Sequence, residues 1–176
     1  MNFKETSLKD AFVIELQKRE DERGFFARTF CRDEFAAHGL NTEYPQCNMS
    51  LSKDKFTLRG FHYQIDGAEE AKVVRCIRGA LLDVIIDVRK GSPSYGQHLA
   101  VELSAKNYVA LYVPEGFAHS FITLEENTEA FYMVSAMYSP GKERGIRWND
   151  PAFGVQWPTD RPIVSEKDAN WPDYVL

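Results

Sequence analysis

The chain holds four histidines, the side chains best suited to moving protons near neutral pH because imidazole titrates near about 6.5. Two stand in informative surroundings. His62 lies in Leu58-Arg59-Gly60-Phe61-His62-Tyr63-Gln64, where the glycine permits close backbone approach and an arginine precedes the histidine by three. His119 closes Pro114-Glu115-Gly116-Phe117-Ala118-His119, a loop expected to place an imidazole just as a new strand starts. His38 falls in a short polar helix and reads as a surface residue. His98 follows the turn Tyr95-Gly96-Gln97 and has no role assigned to it. Taken alone, a histidine in a strand is more often a hydrogen-bonded structural residue than a reactive one, so the spacing around His62 and His119 carries the argument.

Pro114, Gly116 and His119 look like the second metal-box motif of the cupin barrels. Metal sites of that kind also need an earlier His-x-His pair, and here the counterpart is His62-Tyr63-Gln64. Lys72, further along, has no lone pair to offer a metal while it is charged. Fewer than three plausible ligands remain, so the expectation is a barrel pocket with no metal. A pocket holding His, Lys and Tyr suits removal of a proton beside a ketone. The imidazole serves as base, the lysine stabilises the enolate oxygen, and a tyrosine hydroxyl returns a proton from the opposite face.

Such groups need a rigid frame, and the chain reads as short strands broken by turn residues, the pattern of a sandwich or barrel. Strands are expected at 11–16, 25–30, 43–52, 57–64, 71–77, 81–88, 99–103, 108–113, 120–124 and 130–136, with breakers such as Gly67, Gly79, Gly91-Ser92-Pro93 and Pro140-Gly141. In 81–87, Leu82, Val84 and Ile86 point one way while Asp83, Ile85 and Asp87 point the other. Whether those acids face solvent or a cavity is open at this level. One short helix is expected at 33–38, stopped by Gly39. The tail after Pro140 is expected to pack over the barrel as loops anchored by Trp148, Trp157 and Trp171.

Composition fits one globular domain over residues 1–176: 44% apolar, 27% charged, net charge −5. The acidic balance argues against a nucleic-acid partner, although a few arginines can still hold a diphosphate. Three cysteines without a CxxC pair read as reduced thiols of a cytoplasmic protein. The apolar run at 80–88 is interrupted by Asp83 and is far shorter than a membrane span, and 11–14 is too short for a signal-peptide core.

Against this background the chain resembles the dTDP-4-dehydrorhamnose 3,5-epimerases and their sugar-nucleotide relatives. The resemblance rests on ordered landmarks from Asp21-Glu22-Arg23-Gly24-Phe25-Phe26 to Ser165-Glu166-Lys167-Asp168, including Gln46-x-Asn48, the LRGFHYQ and AKVVRCIRG segments, DVIIDVRKGSPSYGQ, ELSAKN, YVPEGFAHSF, Tyr132, Tyr138 and RGIRWNDPAFGVQWP. It implies an all-β, cupin-like double-stranded β-helix (jelly-roll) barrel with short peripheral helices. The implied activity is epimerisation of a nucleotide-linked 4-keto-6-deoxy sugar at carbon 3, carbon 5 or both, without cofactor, by a homodimer. It implies that His62 is the base, that Asp168 sets its tautomer as in a triad's His–Asp pair, that Lys72 with His119 nearby stabilises the enolate, and that Tyr132 is the acid. It further implies that Arg23 and Arg59 clamp the diphosphate and that Gln46 and Asn48 meet the nucleotide end. Glu143 and Lys167 join from the tail, and Tyr138 stacks on the base. In such dimers, strand exchange carries residues near Arg23 into the partner's site.

Three places depart from the pattern. Arg28 stands where many relatives carry a base-contacting glutamate, Ser120 replaces the glycine of the usual HGF, and Met133-Val134-Ser135-Ala136-Met137 replaces a polar stretch. The latter two are expected near the acid and the sugar. Without the resemblance, Arg23 and Arg59 read more readily as turn-stabilising surface residues than as anion binders, and the alternatives for the others are a Lys72 that snorkels outward, core aromatics at Tyr132 and Tyr138, and a turn cap at Asp168. The rival readings are a 3,4-ketoisomerase, a metal-dependent cupin oxygenase and a non-catalytic sugar-nucleotide binder.

Overall fold

The computed structural model describes residues 1–176. Along the chain run β1 (Asn2–Glu5), β2 (Phe12–Glu15), β3 (Arg19–Asp21), β4 (Gly24–Phe26), α1 (Arg32–Ala37), β5 (Gln46–Ser52), β6 (Thr57–Gln64), β7 (Lys72–Arg78) and β8 (Ala80–Asp87). There follow β9 (His98–Ser104), β10 (Ala110–Val113), β11 (Phe117–Thr123), β12 (Thr128–Val134), β13 (Glu143–Gly145), β14 (Ile163–Val164) and α2 (Glu166–Ala169). One sheet has the order β1-β2-β10-β7-β12-β5 and the other β13-β6-β11-β8-β9, with β14 added alongside β6. All pairings are antiparallel except β14 with β6. The architecture is the all-β, cupin-like barrel expected from the sequence. No helix is long and apolar enough to cross a membrane.

The two sheets bury a shared core. Val74, Leu111 and Ala130 from the first meet Leu81, Ile85, Leu103, Phe117 and Phe121 from the second. β8 is buried on both sides, which accounts for its nearly continuous apolar run. Ile85 faces this core, while Val84 and Ile86 lie on the outer face beside Phe61 and Ala118 of the same sheet, covered by the tail residues Ile146 and Phe153, with Trp157 packed against them. Asp83 shares the face of Ile85, is fully buried and meets the cavity-lining His119, which settles the open question about that strand in favour of the inner face.

Several boundaries differ from the sequence expectation. β11 begins at Phe117, so His119 is the third residue of a strand rather than the last of a loop. The expected strand at 25–30 contracts to Gly24–Phe26, half of the exposed β3–β4 hairpin. β1, β3, β13 and β14 are too short to show periodicity. The segment expected as loop at 165–168 forms α2, whose N-cap Ser165 accepts a hydrogen bond from the Asp168 N–H at 3.1 Å.

Gly60 lets β6 pass close to β11. A Cβ there would lie 2.5 Å from the His119 carbonyl oxygen and 2.9 Å from the Ser120 Cα, and its φ of +111° lies where only glycine is comfortable. The β6–β11 register shifts between His119 and Phe121, and the Ser120 hydroxyl donates to the Arg59 carbonyl at 2.9 Å.

At the other end of β8, buried Asp87 accepts from the Arg89 Nε and backbone N–H at 3.0 Å, from the Arg89 guanidinium at 2.8 Å, and from Ser92 and Ser94 at 2.5 and 2.6 Å. Burial pushes its carboxyl up, but these donors outweigh burial and bring it down to about 2. The stability this contributes is therefore present above the unfolded carboxyl's pKa and is lost as pH falls through the folded one. Asp87→Asn is expected to lose on the order of 2 kcal/mol at neutral pH. In paired denaturant melts its deficit against the parent should shrink as pH falls from about 4 towards 2; a deficit constant with pH would assign the cost to packing.

Candidate active site

The barrel opens into a cavity of about 570 Å³ lined from both sheets and from the tail. Ser50, Lys72 and Tyr132 enter from the first sheet. Arg59, His62, His119 and Phe121 enter from the second, and Ser165, Lys167 and Asp168 close it from the tail. A pocket of about 220 Å³ shares His62, Lys72 and Tyr132 and adds Gln46, Asn48, Glu70, Tyr138 and Glu143.

His62 and His119 are register partners on β6 and β11, and each has a buried carboxylate behind it. The His62 Nε2–H donates to Asp168 Oδ1 at 2.6 Å, and Asp168 Oδ2 accepts from the Gly60 N–H at 3.2 Å. A carboxylate only accepts, so in the neutral imidazole the proton sits on Nε2 and Nδ1 carries the lone pair. Burial raises the Asp168 carboxyl, yet the hydrogen bonds from His62, Gly60 and Ser165 prevail and hold it below its usual value. His119 repeats the arrangement, its Nε2–H donating to Asp83 Oδ1 at 2.6 Å. The acid of β8 thus fixes the second imidazole, a function the alternation pattern left open.

Lys72 is only 10% exposed at its side chain, and its ammonium pairs with Glu70 at 2.9 Å. Burial, then the nearby Glu70 carboxylate, raises the Tyr132 phenol above its usual pKa against the opposing pull of Arg59, so the hydroxyl keeps its proton at neutral pH. Arg59 donates to the Ser52 hydroxyl and the Leu51 carbonyl, both at 3.2 Å, and makes no carboxylate ion pair. Its charge is available to an anion. Lys167 pairs with Glu143 at the rim, and this contact raises the lysine's pKa. Gln46 Oε1 accepts from the Tyr138 N–H at 2.8 Å, so it also holds the segment carrying that exposed aromatic ring.

Eleven of the thirteen residues singled out in the sequence line one or both of these pockets. Arg23 and Arg28 do not. Arg23 lies on the β3–β4 hairpin against Asp21 at 2.5 Å, and Arg28 lies 3.8 Å from Glu34 in a separate depression. Of the departures, the 133–137 segment meets its expectation in part, since Val134 lines the smaller pocket beside Tyr132, while Ser120 and Met133 turn elsewhere. Ser120 points away from the cavity to the Arg59 carbonyl, and Met133 packs on the cluster around Phe35 and Tyr112. Gln64, the residue in the second ligand position of the metal box, is buried and donates to the Ala68 carbonyl at 2.9 Å. No three His, Cys, Asp or Glu side chains converge as a metal site requires.

Sequence reading missed Asp83, Glu70 and Ser50. The alternation in β8 offered Asp83 without deciding its face. Glu70 sits two positions ahead of Lys72, on the same side of an extended chain, which is a usable but weak signal. Ser50 Oγ is shielded from solvent and has no hydrogen-bond partner, a property that no sequence displays.

Residues 5–175 match the family model described as dTDP-4-dehydrorhamnose 3,5-epimerase. The chain is 41% identical to the dTDP-4-dehydrorhamnose 3,5-epimerase of Shigella flexneri, over 99% of this chain and 97% of that one. The crystal structure of dTDP-4-dehydrorhamnose 3,5-epimerase from Elizabethkingia anophelis superposes with a TM-score of 0.96 at 37% identity, covering 99% of this chain and 96% of the other. ChmJ, a 3'-monoepimerase from Streptomyces bikiniensis solved in complex with dTDP-quinovose, superposes with a TM-score of 0.87 at 34% identity, covering 96% and 85%.

Proposed function

The chain belongs to the dTDP-4-dehydrorhamnose 3,5-epimerase family, and we propose that it epimerises a dTDP-linked 4-keto-6-deoxy sugar with His62 and Tyr132 as the two proton-transfer groups. The observation that carries this reading is their placement. His62 stands on β6 of one sheet and Tyr132 on β12 of the other, and both line the same cavity. A sugar held between the sheets meets a base on one face and an acid on the opposite face, as inversion demands.

In the reaction, His62 Nδ1 takes the proton alpha to the carbon-4 ketone, and the electron pair moves onto the ketone oxygen as an enolate. The imidazolium is stabilised by Asp168. Lys72, with the imidazole of His119 nearby, stabilises the oxyanion. Tyr132 then delivers its phenolic proton to the other face of the same carbon, and solvent exchange restores both groups. Arg59 binds the diphosphate, while Gln46, Asn48, Tyr138, Glu143 and Lys167 surround the nucleotide end.

A homodimer completes the site in this reading. Arg23 and Arg28 lie outside their own cavity, on and just after an exposed hairpin that presents Phe25 and Phe26. β5 is a sheet edge that exposes Met49 and Leu51, and such edges are normally covered. Arg23 from the partner would join Arg59 at the diphosphate, and Arg28 would face the base.

Proton NMR of dTDP-4-keto-6-deoxyglucose with the enzyme in deuterated water tests the reading. Loss of the proton signals at carbons 3 and 5 is expected for a double epimerase, and loss at carbon 3 alone for a monoepimerase. Binding without exchange at either carbon would leave the chain a non-catalytic member of its family. Faster exchange of a CDP-linked substrate would move the nucleotide assignment.

A further inference from the structure

The Lys72 ammonium is nearly enclosed, on a stem with four rotatable bonds, and an enclosed cation needs a partner that also fixes its direction. Glu70 provides both. Its Oε1 lies 2.9 Å from Lys72 Nζ, and its Oε2 accepts from Gln64 Nε2 at 3.3 Å. Gln64 is itself anchored. Its amide donates to the Ala68 carbonyl at 2.9 Å, and its oxygen accepts from the Ser139 N–H at 2.8 Å. The chain Ser139–Gln64–Glu70–Lys72 therefore runs from the segment beside Tyr138 into the cavity, and each link is a hydrogen bond or ion pair. Glu70 is 13% exposed at its side chain, so little water competes for its oxygens.

We propose that Glu70 is a positioning residue of the reaction: held by Gln64, its carboxylate aims the Lys72 ammonium at the ketone oxygen of the bound sugar. This rests on the proposed function of the site. With one ammonium N–H given to Glu70, two remain for the oxyanion. Gln64 occupies the position of the missing second histidine in the metal-box pattern, and here its amide serves the lysine's partner instead.

The experiment is a double-mutant cycle on Glu70→Ala and Lys72→Ala, read as kcat, KM and carbon-3 proton exchange, with dTDP binding and thermal melting recorded for each variant. Glu70→Ala is expected to lower kcat and exchange together by about tenfold to a hundredfold with KM little changed, the cost of a misaimed catalytic group. Glu70→Gln, which keeps an acceptor for the ammonium, should recover part of the loss. With Lys72 already replaced, removal of Glu70 should cost nothing further, because the two act as one unit. Losses that multiply across the pair, a change confined to KM, or a lower melting temperature with undiminished kcat would each overturn the proposal. If Glu70→Ala melts too low to assay, Glu70→Gln in the same cycle decides. A parent enzyme that exchanges no substrate proton would refute the proposed function itself, a result separate from any difference between variants.

Discussion

His62→Ala is expected to lower turnover by about three orders of magnitude or more while dTDP binding stays within a few-fold of the parent. General base catalysis accounts for about 10²- to 10⁴-fold in rate, and no second group is arranged to replace this one. His119, the register partner of His62, is the nearest candidate, but its Nε2 is committed to buried Asp83 and it is itself only 8% exposed. The nucleotide end should tolerate the change, since Arg59 is held by Ser52 and Leu51 and the Tyr138 segment by Gln46. Single-turnover exchange in deuterated water and calorimetric titration with dTDP measure the two halves independently. Exchange at the parent rate in the variant would remove His62 from the mechanism. Equal loss of exchange and of dTDP affinity would show a collapsed site rather than a missing base.

Tyr132→Phe is expected to separate the two proton transfers. Abstraction by His62 does not need the phenol, so exchange at carbon 3 should persist within about tenfold of the parent, whereas inversion, which needs an opposite-face acid, should fall by about 10²-fold or more. The substitution keeps the ring that fills the wall beside Val74 and Asn48, so the fold should be little affected. The parent phenol is raised above its usual pKa by burial and then by Glu70, so it stays protonated throughout the neutral range and has a proton to give. The check is the ratio of deuterium incorporated with retention to deuterium incorporated with inversion. A ratio unchanged by the mutation would mean that the proton returns from elsewhere, and exchange lost together with inversion would give Tyr132 a part in abstraction.

The local grammar of the chain carried most of the fold. The strand at 57–64 matches its expected bounds, the helix at 32–37 lies within one residue of its expected start and end, and the acidic run of β8 alternates as a strand should. The chemical types were also legible, because a base, a cation and a phenol are properties of side chains. What the chain could not show in one dimension is which faces meet. Asp83 could have faced water or cavity until β8 was buried on both sides by the core and the tail. Asp168 reads as a turn residue until α2 folds back 106 residues along the chain to His62. Arg23 fits the family pattern and Arg28 departs from it, and within one chain neither lines the cavity. Residue type and periodicity are local and survive in sequence. The opposition of His62 to Tyr132 across the barrel, and the Glu70 partner of Lys72, depend on sheet pairing and burial, which only the tertiary structure decides.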